Sequence, residues 1–152
     1  MNQQLIKDIL LSLRELRKET HTLLEEQSGK YYISITHLFI LDTIRNTPKI
    51  SLQQLAKRVN LSPSSTSEAV EKMVKLGYVS REQSETNRRA IELMLTELGL
   101  ETLKETYENW IQDFSLFDAI GEEKLTSFYN TQQEMIELLK ERRVQNGANK
   151  TK

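Results

Sequence analysis

The sequence predicts a mainly α-helical protein with one small β wing, and three observations carry that expectation. Apolar residues recur at helical spacing along most of the 152 residues, as amphipathic helices require. Only two prolines and five glycines interrupt them. Between Tyr78 and Leu95 the period changes to that of strands flanking a polar turn.

Leu5, Ile6, Ile9, Leu10, Leu13, Leu16, Thr20, Leu23 and Leu24 form the stripe of a first helix, over about residues 3–27. Ser34 or Thr36 opens a second, with Leu38, Ile40, Leu41 and Ile44 inside, and Pro48 ends it. Ser51 and Gln54 have capping-box spacing before a short third helix, which closes at Asn60. Ser62-Pro63 starts the fourth as N-cap and N1, with Thr66, Ala69, Val70, Met73 and Leu76 inward and Gly77 ending it. Two strands follow, Tyr78–Glu82 and Ala90–Leu95, joined by Gln83 to Arg89. Thr96 caps a long helix carrying Leu98, Leu103, Tyr107, Trp110, Ile111, Phe114 and Phe117, which Gly121 breaks. A last helix is expected to bury Leu125, Phe128, Met135, Ile136 and Leu139. Residues 1–143 thus read as one domain: terminal helices of about 3–27 and 97–142 flank a central part of about 34–96, and 144–152 read as a disordered tail.

Charge is distributed unevenly. The net charge is −1, yet eight Lys or Arg face four Glu between Lys49 and Arg89, against four facing eleven Asp or Glu between Thr96 and Arg142. Phosphate contacts need local rather than global positive charge, so the middle of the chain is the candidate surface for an anionic partner. With no cysteine, disulfides, thiolate metal sites and cysteine nucleophiles are excluded. The charged N-terminus lacks a signal-peptide core, and no apolar run reaches the roughly 18 residues of a membrane span, so a cytoplasmic location is expected.

Two short helices joined through Val59-Asn60-Leu61-Ser62 and followed by a hairpin make a winged helix-turn-helix. In such an arrangement the second helix enters a DNA major groove about 12 Å wide. Its expected DNA-facing residues are Ser62, Ser64, Ser65, Ser67 and Glu68, with Lys72 and Lys75 further along. Short hydroxyl side chains allow close backbone approach, and lysines suit phosphates. Asn87, Arg88 and Arg89 sit at the wing tip, where guanidiniums can straddle the backbone or enter a minor groove. Taken singly, the serines also read as helix caps and the arginines as a solvated hairpin; the ordered combination favours DNA.

Leu55-Ala-Lys-Arg-Val-Asn-Leu-Ser62, Val70-Glu-Lys-Met73, Leu76-Gly-Tyr-Val79, Asn87-Arg-Arg89 and Leu95-Thr-Glu-Leu-Gly99 resemble the MarR family (multiple antibiotic resistance regulators) over nearly the whole chain. The resemblance implies a homodimeric repressor, with first and last helices packed across a two-fold axis and recognition helices reading a palindromic operator. It also implies a small aromatic or anionic effector, bound between the dimerisation and DNA-binding parts, that lowers DNA affinity. The chain departs from the family wing, Asp-x-Arg-Asp-Arg-Arg, at Ser84, Thr86 and Asn87. Glu68 stands where the family commonly has Arg, so weaker or more salt-sensitive binding is expected.

Tyr31 or Tyr32 with His37 is the expected wall of an effector pocket. The two histidines, His21 and His37, lack metal-ligand spacing, so no metal or cofactor is expected. The aromatic stripe from Tyr107 to Phe117 reads as core or dimer packing, and no phosphate loop or nucleophile motif suggests an enzyme. A second class stays open: Glu68 and Glu71 also suit a winged-helix module whose partner is protein.

Overall fold

A computed structural model describes residues 2–148, which divide into two compact units meeting in sequence at Asp113 and Phe114. The first unit contains α1 (Gln3–Gly29), α2 (Ile35–Asn46), β1 (Ile50–Ser51), α3 (Leu52–Val59), α4 (Pro63–Lys75), β2 (Val79–Gln83), β3 (Ile91–Leu95) and α5 (Glu97–Asp113). The second contains a 3₁₀ segment, Phe114–Ile120, and α6 (Glu122–Ala148).

The core of the first unit gathers around α2. Leu38, Ile40, Leu41 and Ile44 of that helix are excluded from solvent together with Ile50, Leu55, Val70, Met73, Leu93 and Leu103. These residues come from α3, α4, α5 and two strands, so α2 is the post on which the other elements pack. Burying each such side chain contributes roughly 1.5–3 kcal/mol. The sheet has the order β1-β3-β2, all antiparallel. Leu93 is its hinge, opposite Ile50 on one side and Arg81 on the other. The two-residue β1 is absent from the sequence reading because it is too short to show alternation. Lys49 reaches it through a left-handed backbone (φ 66°) and donates its amide to the Leu93 carbonyl at 3.0 Å.

Local chemistry sets the helix ends. Ser51 accepts from the Gln54 amide at 3.1 Å while Gln54 Oε1 accepts from the Ser51 amide at 3.3 Å, which completes the capping box. Asn60 closes α3 in the left-handed region (φ 55°) and Gly77 follows α4 there (φ 82°). Thr96 joins the wing to α5: its hydroxyl donates to the Gly77 carbonyl and accepts from the Gly99 amide. Gly99 is needed because α5 comes so close to the residue preceding β2 that an added Cβ would lie 2.1 Å from the Tyr78 carbonyl oxygen.

Three expectations are corrected. The long helix stops at Asp113, and Phe114 and Phe117 belong to the 3₁₀ segment, with ring centroids 5.4 Å apart. Along α5, Gly99, Thr102 and Thr106 are buried, and Leu98 and Ile111 are exposed. None of Leu125, Phe128, Met135, Ile136 and Leu139 is buried in α6, although they recur at helical spacing. From Val144 to Ala148 the expected tail continues α6, and residues 149–152 lie outside the described residues.

Candidate nucleic-acid interface

The interface is built from the turn between α3 and α4, the outward face of α4, and the hairpin of β2 and β3. Because α4 buries Thr66, Val70 and Met73 against α2 and α3, the opposite face must look outward. Ser64, Glu68, Glu71, Lys72 and Lys75 are all exposed along it. Its 13 residues span about 20 Å at 1.5 Å per residue, enough to cross a major groove.

Ser62, Ser64 and Ser65 hold one another. Ser62 Oγ accepts from the Ser65 amide at 3.1 Å and lies 2.8 Å from Ser65 Oγ and 3.3 Å from Ser64 Oγ. Ser62 is thus the cap, and Ser64 and Ser65 form an exposed hydroxyl cluster with it. Ser67 is half-buried, set back from the exposed row. Glu71 pairs with Lys75 at 3.2 Å, one turn apart, which neutralises part of the acidity seen in the sequence. Exposed pairs of this kind contribute at most about 1 kcal/mol. Glu68 makes no ion pair among the described residues.

The wing tip is held by its own side chains. Asn87 Oδ1 accepts from the Arg89 amide at 3.1 Å, and the Asn87 carbonyl accepts from the Ala90 amide at 2.9 Å. Gln83 Nε2 donates to the Arg88 carbonyl, and Ser84 Oγ lies 3.1 Å from Thr86 Oγ1. Asn87 is therefore engaged in shaping the turn, while the Arg88 and Arg89 side chains project from it, exposed. Arg81, absent from the sequence reading, joins them around a surface cavity of about 320 Å³ with Glu82, Gln83 and Ile91. The only signal for it was its place in the basic middle of the chain. A second cavity, of about 410 Å³, lies at the elbow between α3 and α4, lined by Gln53, Ala56, Lys57, Asn60, Leu61 and Pro63. Gln53 and Lys57 were likewise not singled out in the sequence.

Tyr31, Tyr32 and His37 serve three different ends. The Tyr31 hydroxyl lies 3.2 Å from Glu105 Oε2, and burial, then this carboxylate, pushes its pKa up. Tyr32 is exposed, with a left-handed backbone (φ 61°). His37 caps α2: its Nδ1 accepts from the Ser34 amide at 3.0 Å. A different cavity, of about 340 Å³, opens between α2 and α3, lined by Thr36, Phe39, Thr43, Arg58, Val59 and Leu61. Arg58 is steered there by a 2.6 Å bond to Thr47 Oγ1. Beside it, Phe39 meets Trp110 edge-on at 6.5 Å, and Trp110 meets Tyr107 at 5.1 Å. Among the described residues no group of three or more His, Asp or Glu is placed to hold a metal ion, and no helix is long and apolar enough to cross a membrane.

A cap-initiated helix presented outward, a bracing helix before it and a basic hairpin after it define a winged helix-turn-helix protein. Residues 33–91 match the MarR family model. The chain is 29% identical over 90 residues to the HTH-type transcriptional regulator SarZ of Staphylococcus haemolyticus, covering 57% of this chain and 61% of that one. Against the HTH-type transcriptional repressor MdtR of Bacillus subtilis it is 26% identical over 96 residues, covering 63% and 62%. The matched region thus spans about three-fifths of the length of these two relatives. In fold it is similar to a MarR family protein from Bacillus stearothermophilus, with a TM-score of 0.81 at 18% identity, over 91% of this chain and 98% of the other.

Proposed function

We propose that the protein is a sequence-specific DNA-binding transcriptional regulator, a homodimer that represses from a palindromic operator. The observation that carries this reading is the pairing of the exposed α4 row with a pre-shaped wing. Lys72 and Lys75 follow a serine cluster there, and the wing carries Arg81, Arg88 and Arg89, three arginines without an ion pair among the described residues. Serine hydroxyls and α4 side chains read base edges, and the lysines and wing arginines hold the phosphate backbone. The match of residues 33–91 to the MarR family model and similarity to proteins named as transcriptional regulators support the same reading.

Dimerisation is supported by apolar surface that a single chain leaves open: Leu5, Leu10 and Leu11 in α1, and Leu138, Leu139 and Val144 in α6. Release by a small aromatic or anionic effector fits the α2–α3 cavity. Phe39, Val59 and Leu61 offer an apolar floor there, Thr36 and Thr43 hydroxyls, and Arg58 a cation for a carboxylate. The protein acts in the cytoplasm, where its DNA lies, and has no catalytic role.

One observation favours a second reading, a protein-binding winged helix: the unpaired carboxylate of Glu68 sits mid-row on α4, where it repels phosphate. Selection from random duplex DNA at low and near-physiological salt separates the two. Enrichment of a palindrome with half-sites about one helical turn apart supports the regulator; no enriched sequence at either salt supports the protein partner. On the DNA reading, Glu68→Gln tightens binding to non-specific duplex, and unchanged affinity would leave Glu68 outside the interface.

A further inference from the structure

The opening turn of α2 contains a titratable group where a capping box ordinarily has Glu or Gln. Ser34 is the N-cap and His37 the N3 residue: Ser34 Oγ accepts from the His37 amide at 3.4 Å, and His37 Nδ1 accepts from the Ser34 amide at 3.0 Å, with Ser34 Oγ 2.9 Å away. Nδ1 can accept only while it carries no proton, so the box requires the neutral ring with its hydrogen on Nε2. Protonation would set Nδ1–H against the Ser34 amide, leave it only the Ser34 hydroxyl as acceptor, and place a cation at the positive end of a helix.

Charged groups of two further helices act on the same ring. Its charged neighbours are Lys72 from α4 and Glu25 from α1. Glu25 Oε1 accepts from the Ile35 amide at 3.3 Å and lies 3.8 Å from His21 Nε2, so α1 grips the next amide of the same turn. Lys72 belongs to the exposed row of α4 proposed to meet phosphate. Burial first, then Lys72, pushes the His37 pKa below its ordinary 6.5, with Glu25 opposing.

We propose that His37 is a proton-sensitive latch that holds α4 in its DNA-binding position while neutral and releases it when protonated. Acid breaks the bond from the Ser34 amide to His37 Nδ1 and sets imidazolium against Lys72, loosening the start of α2, a helix against which α4 packs. The direction follows from linkage: a histidine pKa lowered by folding contributes stability that is full above the unfolded value and is lost as pH falls through the folded one. This regulation rests on the DNA-binding reading above, whereas the latch itself does not.

Two measurements on the full chain separate them. Titration of the His37 ring by NMR is expected to give a pKa below the ordinary 6.5, and lower still in Glu25→Gln. A His37 pKa at or above 6.5 overturns the latch. Affinity for a selected duplex, or for generic duplex if none is selected, is then measured between about pH 7.5 and pH 5, a range bracketing the free histidine value. Wild type is expected to lose up to about tenfold per pH unit below the folded pKa. His37→Gln keeps an acceptor in the box without a titrating group, and its profile is expected to stay flatter. Parallel profiles, or tighter wild-type binding in acid, overturn the coupling. Absence of DNA binding by either protein at any pH overturns the DNA reading and the coupling with it, even where the NMR titration upholds the latch.

Discussion

The helix α2 and the helix α6 carry the same kind of sequence signal and meet opposite fates. Both show apolar residues at three- and four-residue spacing, but Leu38, Ile40, Leu41 and Ile44 of α2 are wholly buried, while no described side chain of α6 is. The difference lies in what surrounds each helix. α2 is enclosed by α3, α4, β3 and α5, elements that follow it closely in the chain. α6 is 27 residues long and leaves Ile136, Leu138, Leu139 and Val144 in solvent. Periodicity therefore identifies a face that must be covered, and only neighbours decide whether the same chain covers it. For α6 the proposed cover is a second copy.

The largest expected effect sets the two helices directly against each other. Leu41→Ala in α2 should cost about 2–5 kcal/mol by denaturant unfolding, as truncation of a buried leucine in a packed site does. Leu139→Ala in α6 should leave monomer stability nearly unchanged and instead weaken self-association, read by sedimentation equilibrium. If Leu139→Ala destabilises a dilute monomer as much as Leu41→Ala does, α6 packs on its own chain and the dimer argument fails.

A smaller effect is expected at Gly99. Its missing side chain allows α5 to start against the Tyr78 carbonyl, and a methyl group there would overlap backbone that cannot swing aside. Gly99→Ala should therefore cost about 1–3 kcal/mol, the range for overpacked sites. Thermal unfolding checks this, and a substitution without cost would mean that the α5–wing junction is looser than drawn.

The smallest effect concerns the polar seam between α2 and α5. Asp42 pairs with Arg45 at 2.6 Å, and Arg45 lies over the Tyr107 ring at 5.8 Å. Burial, then Asp42, pushes the Tyr107 phenol up to about 12. A phenol raised in this way favours the folded state below its ordinary value near 10, and that contribution is lost as pH rises through the folded value. Tyrosinate absorbance should thus show a late-titrating component that Tyr107→Phe removes. Its persistence in the variant would assign the component to another tyrosine.

Much of the fold was legible in the sequence because its boundaries are chemical: Ser51 with Gln54, Asn60, Ser62-Pro63 and Thr96 each act through their own side chain or backbone preference. What escaped depended on distant partners. β1 exists only because Leu93 is there to pair with, and Phe114 and Phe117 keep helical spacing while the backbone tightens into a 3₁₀ turn. At the candidate site, the exposed row of α4 and the wing arginines could be read from periodicity and order. Arg81 could not, since only strand register brings it beside Arg88 and Arg89. His37 was legible as a lone histidine near a helix start, and its capping role required the ring's orientation.

The central claim is that the wing and α4 hold DNA through its phosphates. It is tested most directly by the salt dependence of duplex affinity in wild type and in the double substitution Arg88→Ala, Arg89→Ala. Each phosphate contact adds about 0.9 to the slope of log affinity against log salt. The account predicts a steep wild-type slope that falls by up to about 1.8 when both arginines are removed. Equal slopes in the two proteins would contradict it and place the phosphate contacts elsewhere.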